Sequence, residues 1–185
     1  GSVAFASTIQ PFRIRSASVA VPGTVAGLET ADRRFGTVPW PRLLEPAIEF
    51  ARSGFELTRP QAYLHAILDI ILRHTADGRA IYGPRGGRLV AGDRLVMGNL
   101  ADTLELLAAG GADAFHRGSL ARAVSDYVRG QGGTLTREDL ARYRPIWRRP
   151  LTADFVQHQV ELNPPPSSGG VLIAYGLRLL DRAGL

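Results

Sequence analysis

Residues 149–185 read RPLTADFVQHQVELNPPPSSGGVLIAYGLRLLDRAGL, and a change of period inside this stretch decides the fold class. Up to Leu162, polar and apolar residues alternate, as in strands with one buried face. Residues 149–156 and 158–162 (HQVEL) are expected to form two strands joined by a tight connection. Pro164, Pro165 and Pro166 then remove three consecutive backbone donors and end the ladder. From Val171 the apolar residues recur at helical spacing. The chain therefore passes from sheet to helix across Ser167, Ser168, Gly169 and Gly170.

That junction has two readings. Its backbone N–H groups and the helix dipole could hold a carboxylate or phosphate. Alternatively, a serine caps the helix and the glycines let it pack closely on the sheet. Local chemistry leaves both open.

The upstream sequence is helical in period. Pro22-Gly23 marks a turn, after which Thr24 is expected to cap a helix running to about Arg34. Val25, Leu28 and Ala31 would share its apolar face, and Gly36 would end it. Pro41 opens a second helix with the stripe Leu43, Leu44, Ala47, Ile48 and Ala51, stopped by Gly54. Thr58 opens a third, with Pro60 in its first turn, extending to about His74. Residues 76–94 are rich in glycine and arginine and read as loop with short extended pieces. Asn99 caps a helix closing at Gly110-Gly111, Ser119 caps one closing at Gly130, and Thr136-Arg-Glu-Asp139 is a capping sequence for a short helical turn. Residues 1–17 have no clear period and read as an irregular extension. Helices followed by a hairpin and a helix give an α/β (α+β) arrangement, a helical layer on part of a sheet. Two strands are marginal alone, so the sheet is expected to be completed by other polypeptide.

The chain of 185 residues suits one domain or a large piece of one, and 45% hydrophobic residues suffice for a packed core. No apolar run reaches the roughly 18 residues that would mark a membrane-spanning helix. The first residues, GSVAFASTIQPF, lack the basic-then-apolar order of a secretory signal and do not start with Met, as expected of a processed or trimmed end. Without cysteine there are no disulfides, thiolate ligands or cysteine nucleophiles. All 22 basic residues are arginine, so lysine nucleophiles and Schiff bases are excluded too. The net charge of +5 raises the question of nucleic acid. The arginines are scattered among acidic residues without an aromatic platform, so no nucleic-acid partner is expected.

The remaining candidate chemistry is thin. His65, His74, His116 and His158 have no zinc-like spacing and no HExxH, so no metal is expected. Gly83-Pro-Arg-Gly-Gly87 lacks the lysine and the strand–helix context of a phosphate loop. Glu138 and Asp139 sit where a helix start stabilises negative charge anyway. No GxSxG or SxxK nucleophile motif is present.

Four segments in order change the reading: VAVPGTVAGLE (19–29) with FGTVPWPRLLEPAIEFARSGF (35–55), AGDRLVMGNLADTLELLAAGGADAFHRGSLARAV (91–124), GGTLTREDLARYRPIWRRPL (132–151) and NPPPSSGGVLIAYGLRLL (163–180). From about Ser18 to the C-terminus the chain closely resembles the γ-glutamyltranspeptidase, or glutathione hydrolase, family. The resemblance implies part of an N-terminal-nucleophile hydrolase αββα sandwich, mostly helical here with a short strand hairpin. It implies a zymogen that cleaves itself into large and small subunits, this chain being a later part of the large one in a single domain. The small subunit, forming an αβ heterodimer, would bring the threonine nucleophile, whose own α-amine serves as base. The substrate would be a γ-glutamyl amide such as glutathione, hydrolysed or transferred to an acceptor amine, with no cofactor and in a periplasmic or secreted setting.

The family's threonine motif is absent, so the nucleophile is expected downstream of Leu185 and the chain alone is expected to be inactive. The arginine that clasps the substrate carboxylate precedes the PGTVAG segment in the family. Arg13 and Arg15 precede it here in surroundings that do not match, and that role is not carried onto them. Ser167, Ser168, Gly169 and Gly170 are the substrate-contact candidates, and the resemblance places them between a central-sheet strand and a packed helix. Two other readings compete: a cephalosporin (glutaryl) acylase-like amidase, and a non-catalytic association module.

Overall fold

A computed structural model describes residues 2–5, 8–11 and 16–184 and divides the chain into two compact units, Gly1–Pro145 and Ile146–Leu185. The first unit opens with an antiparallel pair, β1 (Ser2–Phe5) and β2 (Thr8–Pro11), in the register Val3 with Gln10 and Ala4 with Ile9. A stretch read as irregular thus contains a hairpin. A 3-10 turn follows at Ser16–Ser18.

α1 (Thr24–Phe35) and α2 (Trp40–Ser53) lie where the periodicity puts them, with Gly36 and Gly54 at their C-caps. Gly54 has φ +77°, and a Cβ there would press on the Leu95 carbonyl, so both conformation and space demand glycine. The cap of α1 differs from expectation. Thr24 is the first helical residue, and Gly23 holds the N-cap without a side-chain bond.

β3 (Phe55–Glu56) pairs antiparallel with β4 (Arg94–Leu95), and a long excursion lies between them. Thr58 caps α3 (Arg59–Ile67) as expected, its hydroxyl accepting the Gln61 N–H while the Gln61 side chain takes the Thr58 N–H. The helix breaks at Leu68 instead of reaching His74 and restarts as α4 (Asp69–Leu72). Asp69 holds Arg73 there at 2.5 Å. Residues 76–94 correct the sequence reading, because α5 (Ala76–Tyr82) is a helix capped by Thr75, whose hydroxyl accepts the Gly78 N–H. Leu89, within the glycine-rich remainder, is buried with Leu57 and Leu95 against Ile81 and Tyr82.

α6 (Gly98–His116) carries a break at Gly111, whose φ of 60° and ψ of −159° interrupt the helix where the paired glycines predict it. The Trp40 Nε1–H donates to the Leu107 carbonyl, four residues before this break, at 2.9 Å. α7 (Ser119–Gly130) and α8 (Arg137–Arg142) complete the unit. Met97 and Gly118, not Asn99 and Ser119, hold the N-caps of α6 and α7. Thr136 caps α8 reciprocally with Asp139. The main core joins Ala121, Val128, Leu135 and Leu140, with Phe115 and Val124 packed against it. Two polar groups are buried within it: Ser125 Oγ donates to the Leu135 carbonyl, and His116 Nδ1 lies 3.1 Å from the Leu140 carbonyl while its Nε2 has no hydrogen-bond partner. The His116 ring stacks on Tyr143 at 5.4 Å, and Tyr143 closes over Gly23, where a Cβ would collide with its ring.

The second unit is the hairpin and helix. β5 (Leu151–Phe155) pairs with β6 (His158–Leu162), Leu151 opposite Leu162 and Phe155 opposite His158. Val156 and Gln157 form the turn with φ of 45° and 62°, a left-handed pair that glycine or asparagine ordinarily supplies. α9 (Ser168–Arg182) packs on this hairpin and buries Gly170 and Ala174, while β5 buries Ala153. Among the described residues no helix is long and apolar enough to cross a membrane.

Candidate functional site

The junction of β6 and α9 forms an open cleft of about 500 Å³. Its wall includes Arg148, Glu161 and Asn163 beside Ser167, Gly169 and Gly170. Three local features build it. The strand ends at Leu162, and the prolines carry the chain out of the sheet with a cis Pro165–Pro166 bond. The Ser167 N–H then turns back to the Pro164 carbonyl at 3.2 Å. Ser167 takes the N-cap position with extended backbone, but its hydroxyl makes no capping bond. The first-turn N–H groups at the helix start therefore have no side-chain acceptor from the cap residue.

The two glycines differ. A Cβ on Gly170 would land on the Asn163 carbonyl, so α9 approaches the strand end as closely as a backbone can. A Cβ on Gly169 would meet nothing nearer than Ser167 Oγ at 3.8 Å. Close packing thus explains Gly170 and leaves Gly169 and the exposed serines without a packing role. Ser167, Gly169 and Gly170 are gathered on the cleft, whereas Ser168 lies outside its lining. Sequence reasoning missed Arg148, Glu161 and Asn163. Arg148 precedes the first strand, and only hairpin closure brings it to the end of the second.

A positive helix terminus, a guanidinium, a carboxylate and a carboxamide share this cleft. They can hold and orient a polar or zwitterionic group, but they do not activate a nucleophile. His158, the histidine of this unit, stands at the opposite end of β6 from the serines.

The other singled-out residues have structural roles or stand apart. Asp139 is bonded by the Thr136 hydroxyl and N–H, which hold its carboxyl below the usual carboxylate range. Glu138 pairs with Arg142 at 2.5 Å. In the Gly83–Gly87 loop, Arg85 pairs with Asp93, and the Gly86 carbonyl accepts from Arg73 at 3.1 Å. The His65 ring meets Tyr82 edge-on at 5.4 Å, and His74 is exposed. Among the described residues no group of three His, Cys, Asp or Glu could hold a metal ion. Arg13 and Arg15 lie outside the described residues.

Comparison with known proteins adds what the cleft alone does not. The family described as gamma-glutamyltranspeptidase matches residues 5–185. The glutathione hydrolase proenzyme of Escherichia coli (strain K12) is 38% identical over 161 residues, covering 86% of this chain and 28% of that protein. The acylase ACY 1 proenzyme of Pseudomonas sp. (strain SE83) is 40% identical over 167 residues, covering 89% of this chain and 29% of that protein. The chain thus spans between a quarter and a third of the length of these relatives. The crystal structure of Helicobacter pylori gamma-glutamyltranspeptidase superposes with a TM-score of 0.83 at 29% identity, covering 90% of this chain and 48% of that one. The mostly helical arrangement described above is a segment of that fold.

Proposed function

Because this chain belongs to the gamma-glutamyltranspeptidase family, we propose that it is the large-subunit part of an enzyme that hydrolyses or transfers γ-glutamyl groups from glutathione and related amides. The observation that carries the reading is a family match running from residue 5 to residue 185 with no large segment left over. In the proposed mechanism a threonine hydroxyl outside this chain attacks the γ-carbonyl carbon. An ester forms, the amide C–N bond breaks, and the amine leaves with a proton relayed by the threonine's own α-amine. Water or an acceptor amine then attacks the ester and regenerates the hydroxyl. The threonine becomes the N-terminus of the small subunit when the precursor is cleaved, and that subunit pairs with this chain.

This chain contributes scaffold and orientation. Ser167, Gly169 and Gly170 contact the substrate from the cleft wall, Ser168 reaches it only from the rim, and Gly170 also fixes α9 against the strand end. In the complete, matured enzyme, replacing Ser167 and Ser168 together by alanine is expected to raise KM for a γ-glutamyl anilide while leaving kcat near its original value. An unchanged KM restricts the two serines to a structural role. The purified chain alone is expected to show no turnover.

The 40% identity to an acylase proenzyme supports a second reading, an amidase for glutaryl side chains. Those substrates lack the α-amino group. The ratio of kcat/KM for a γ-glutamyl anilide to that for the matching glutaryl anilide separates the two, a ratio well above one favouring the first.

A further inference from the structure

α1, α2 and α6 enclose an apolar trough of about 650 Å³ on the first unit. Val25, Leu28 and Phe35 line one wall at helical spacing, and Trp40, Leu43 and Ala47 line the other. These stripes are turned into the trough, not into the core. Leu28 is 58% exposed, Phe35 66% and Leu43 47%, while the residue α1 buries is Ala26. Contiguous apolar surface of this kind on a folded unit marks a place where something docks.

The walls also constrain the occupant. They are helical, so beyond the first turns of α1 and α2 their backbone groups are spent on their own hydrogen bonds. The Trp40 indole N–H already donates to the Leu107 carbonyl, and the Gly36 N–H to the Asp32 carbonyl. A strand laid here would leave one row of its N–H and C=O groups unpaired in an apolar setting, which costs free energy at each group. A helix satisfies its own backbone and presents only side chains.

We propose that the trough receives an amphipathic helix, apolar at i, i+3 or i+4, and i+7, supplied by further polypeptide of the same precursor. The source follows from length, because the matched curated proteins are more than three times as long as the stretch this chain covers. The inference rests on the family reading only for the existence of that polypeptide. The test places a photoreactive benzoylphenylalanine at position 28 and, separately, at position 43 of the complete precursor, with cross-linked peptides mapped by mass spectrometry. Both positions are expected to capture one segment outside residues 1–185, at sites three, four or seven residues apart, and Leu28→Asp is expected to abolish capture from position 43. Capture at alternate residues (a strand), capture of a second copy, capture within residues 1–185, or no capture would each overturn the proposal. The cross-link pattern does not depend on turnover, so loss of the proposed activity and loss of this contact are read separately.

Discussion

α3 and α8 begin with the same reciprocal cap, Thr58 with Gln61 in one and Thr136 with Asp139 in the other, yet they are anchored very differently. Leu140 of α8 is 0% exposed and lies in the main core, whereas α3, α4 and α5 bury no residue of their own. The excursion that carries α3–α5 is held mainly by Leu57, Leu89 and Leu95, which lie in the loops and strand flanking those helices. A cap fixes where a helix starts and contributes about 1 kcal/mol. A buried leucine contributes several times that, so the two regions should respond unequally to the same kind of damage.

The largest expected effect tests this directly. Leu140→Ala removes a fully buried side chain between Ala121, Val128 and Leu135 and should cost about 2–5 kcal/mol in urea unfolding. Leu64→Ala, on the 54%-exposed face of α3, should change stability by about 0.5 kcal/mol or less. Equal losses at the two positions would break the comparison.

A smaller effect is expected at the break in α6. Gly111 has backbone angles that only glycine adopts readily, and the Glu29 carboxylate stands where a Cβ would go. Gly111→Ala should therefore cost about 1–3 kcal/mol in the same unfolding assay. Gly86 also has a positive φ but has nothing within reach of a Cβ. Gly86→Ala, in the loop after α5, should cost about 1 kcal/mol, from the positive φ alone.

Those two glycines also show what was legible in the sequence. Gly54 and Gly111 punctuate helices by a positive φ, and Gly36 by its close approach to Asp32, so the ends of α1 and α2 and the break in α6 could be read from pattern. The reciprocal caps were legible because Gln61 and Asp139 stand three residues after their threonines. Thr24 and Ser119 have Gly27 and Arg122 at that spacing, and neither caps its helix. α5 was hidden because Gly78, Arg79 and the arginines around it read as loop, and its one durable signal, Thr75, is local to three residues. The face that α1 buries was not legible either, since Leu28 and Ala26 differ only in what the rest of the chain brings to them. In the candidate site the proline run exposed Ser167–Gly170. Arg148 and Glu161 were invisible because their proximity exists only after β5 and β6 pair through Val156 and Gln157.

The smallest expected effect separates the two caps by chemistry. At Thr136 the backbone N–H donates to Asp139 Oδ2 at 2.9 Å and the hydroxyl to the same oxygen at 2.6 Å. At Thr58 the matching acceptor is Gln61 Oε1, at 2.9 Å and 2.8 Å, which does not titrate. The Thr136 hydroxyl first, and its N–H second, hold the Asp139 carboxyl below the usual range, so its folded pKa lies under the unfolded value of about 3.9. A depressed carboxylate stabilises the fold above the unfolded pKa and loses that contribution as pH falls through the folded one. The α8 cap should therefore weaken only below about pH 4. Amide hydrogen exchange should show Thr136 losing protection relative to Thr58 as pH drops from about 5 to 2.5. Asp139→Asn, which gives α8 an uncharged acceptor like that of α3, should make the two amides respond alike. Parallel loss at both amides in the unsubstituted chain would mean that acid loosens the whole unit before the cap, and that the shared capping geometry matters less than the core beneath it.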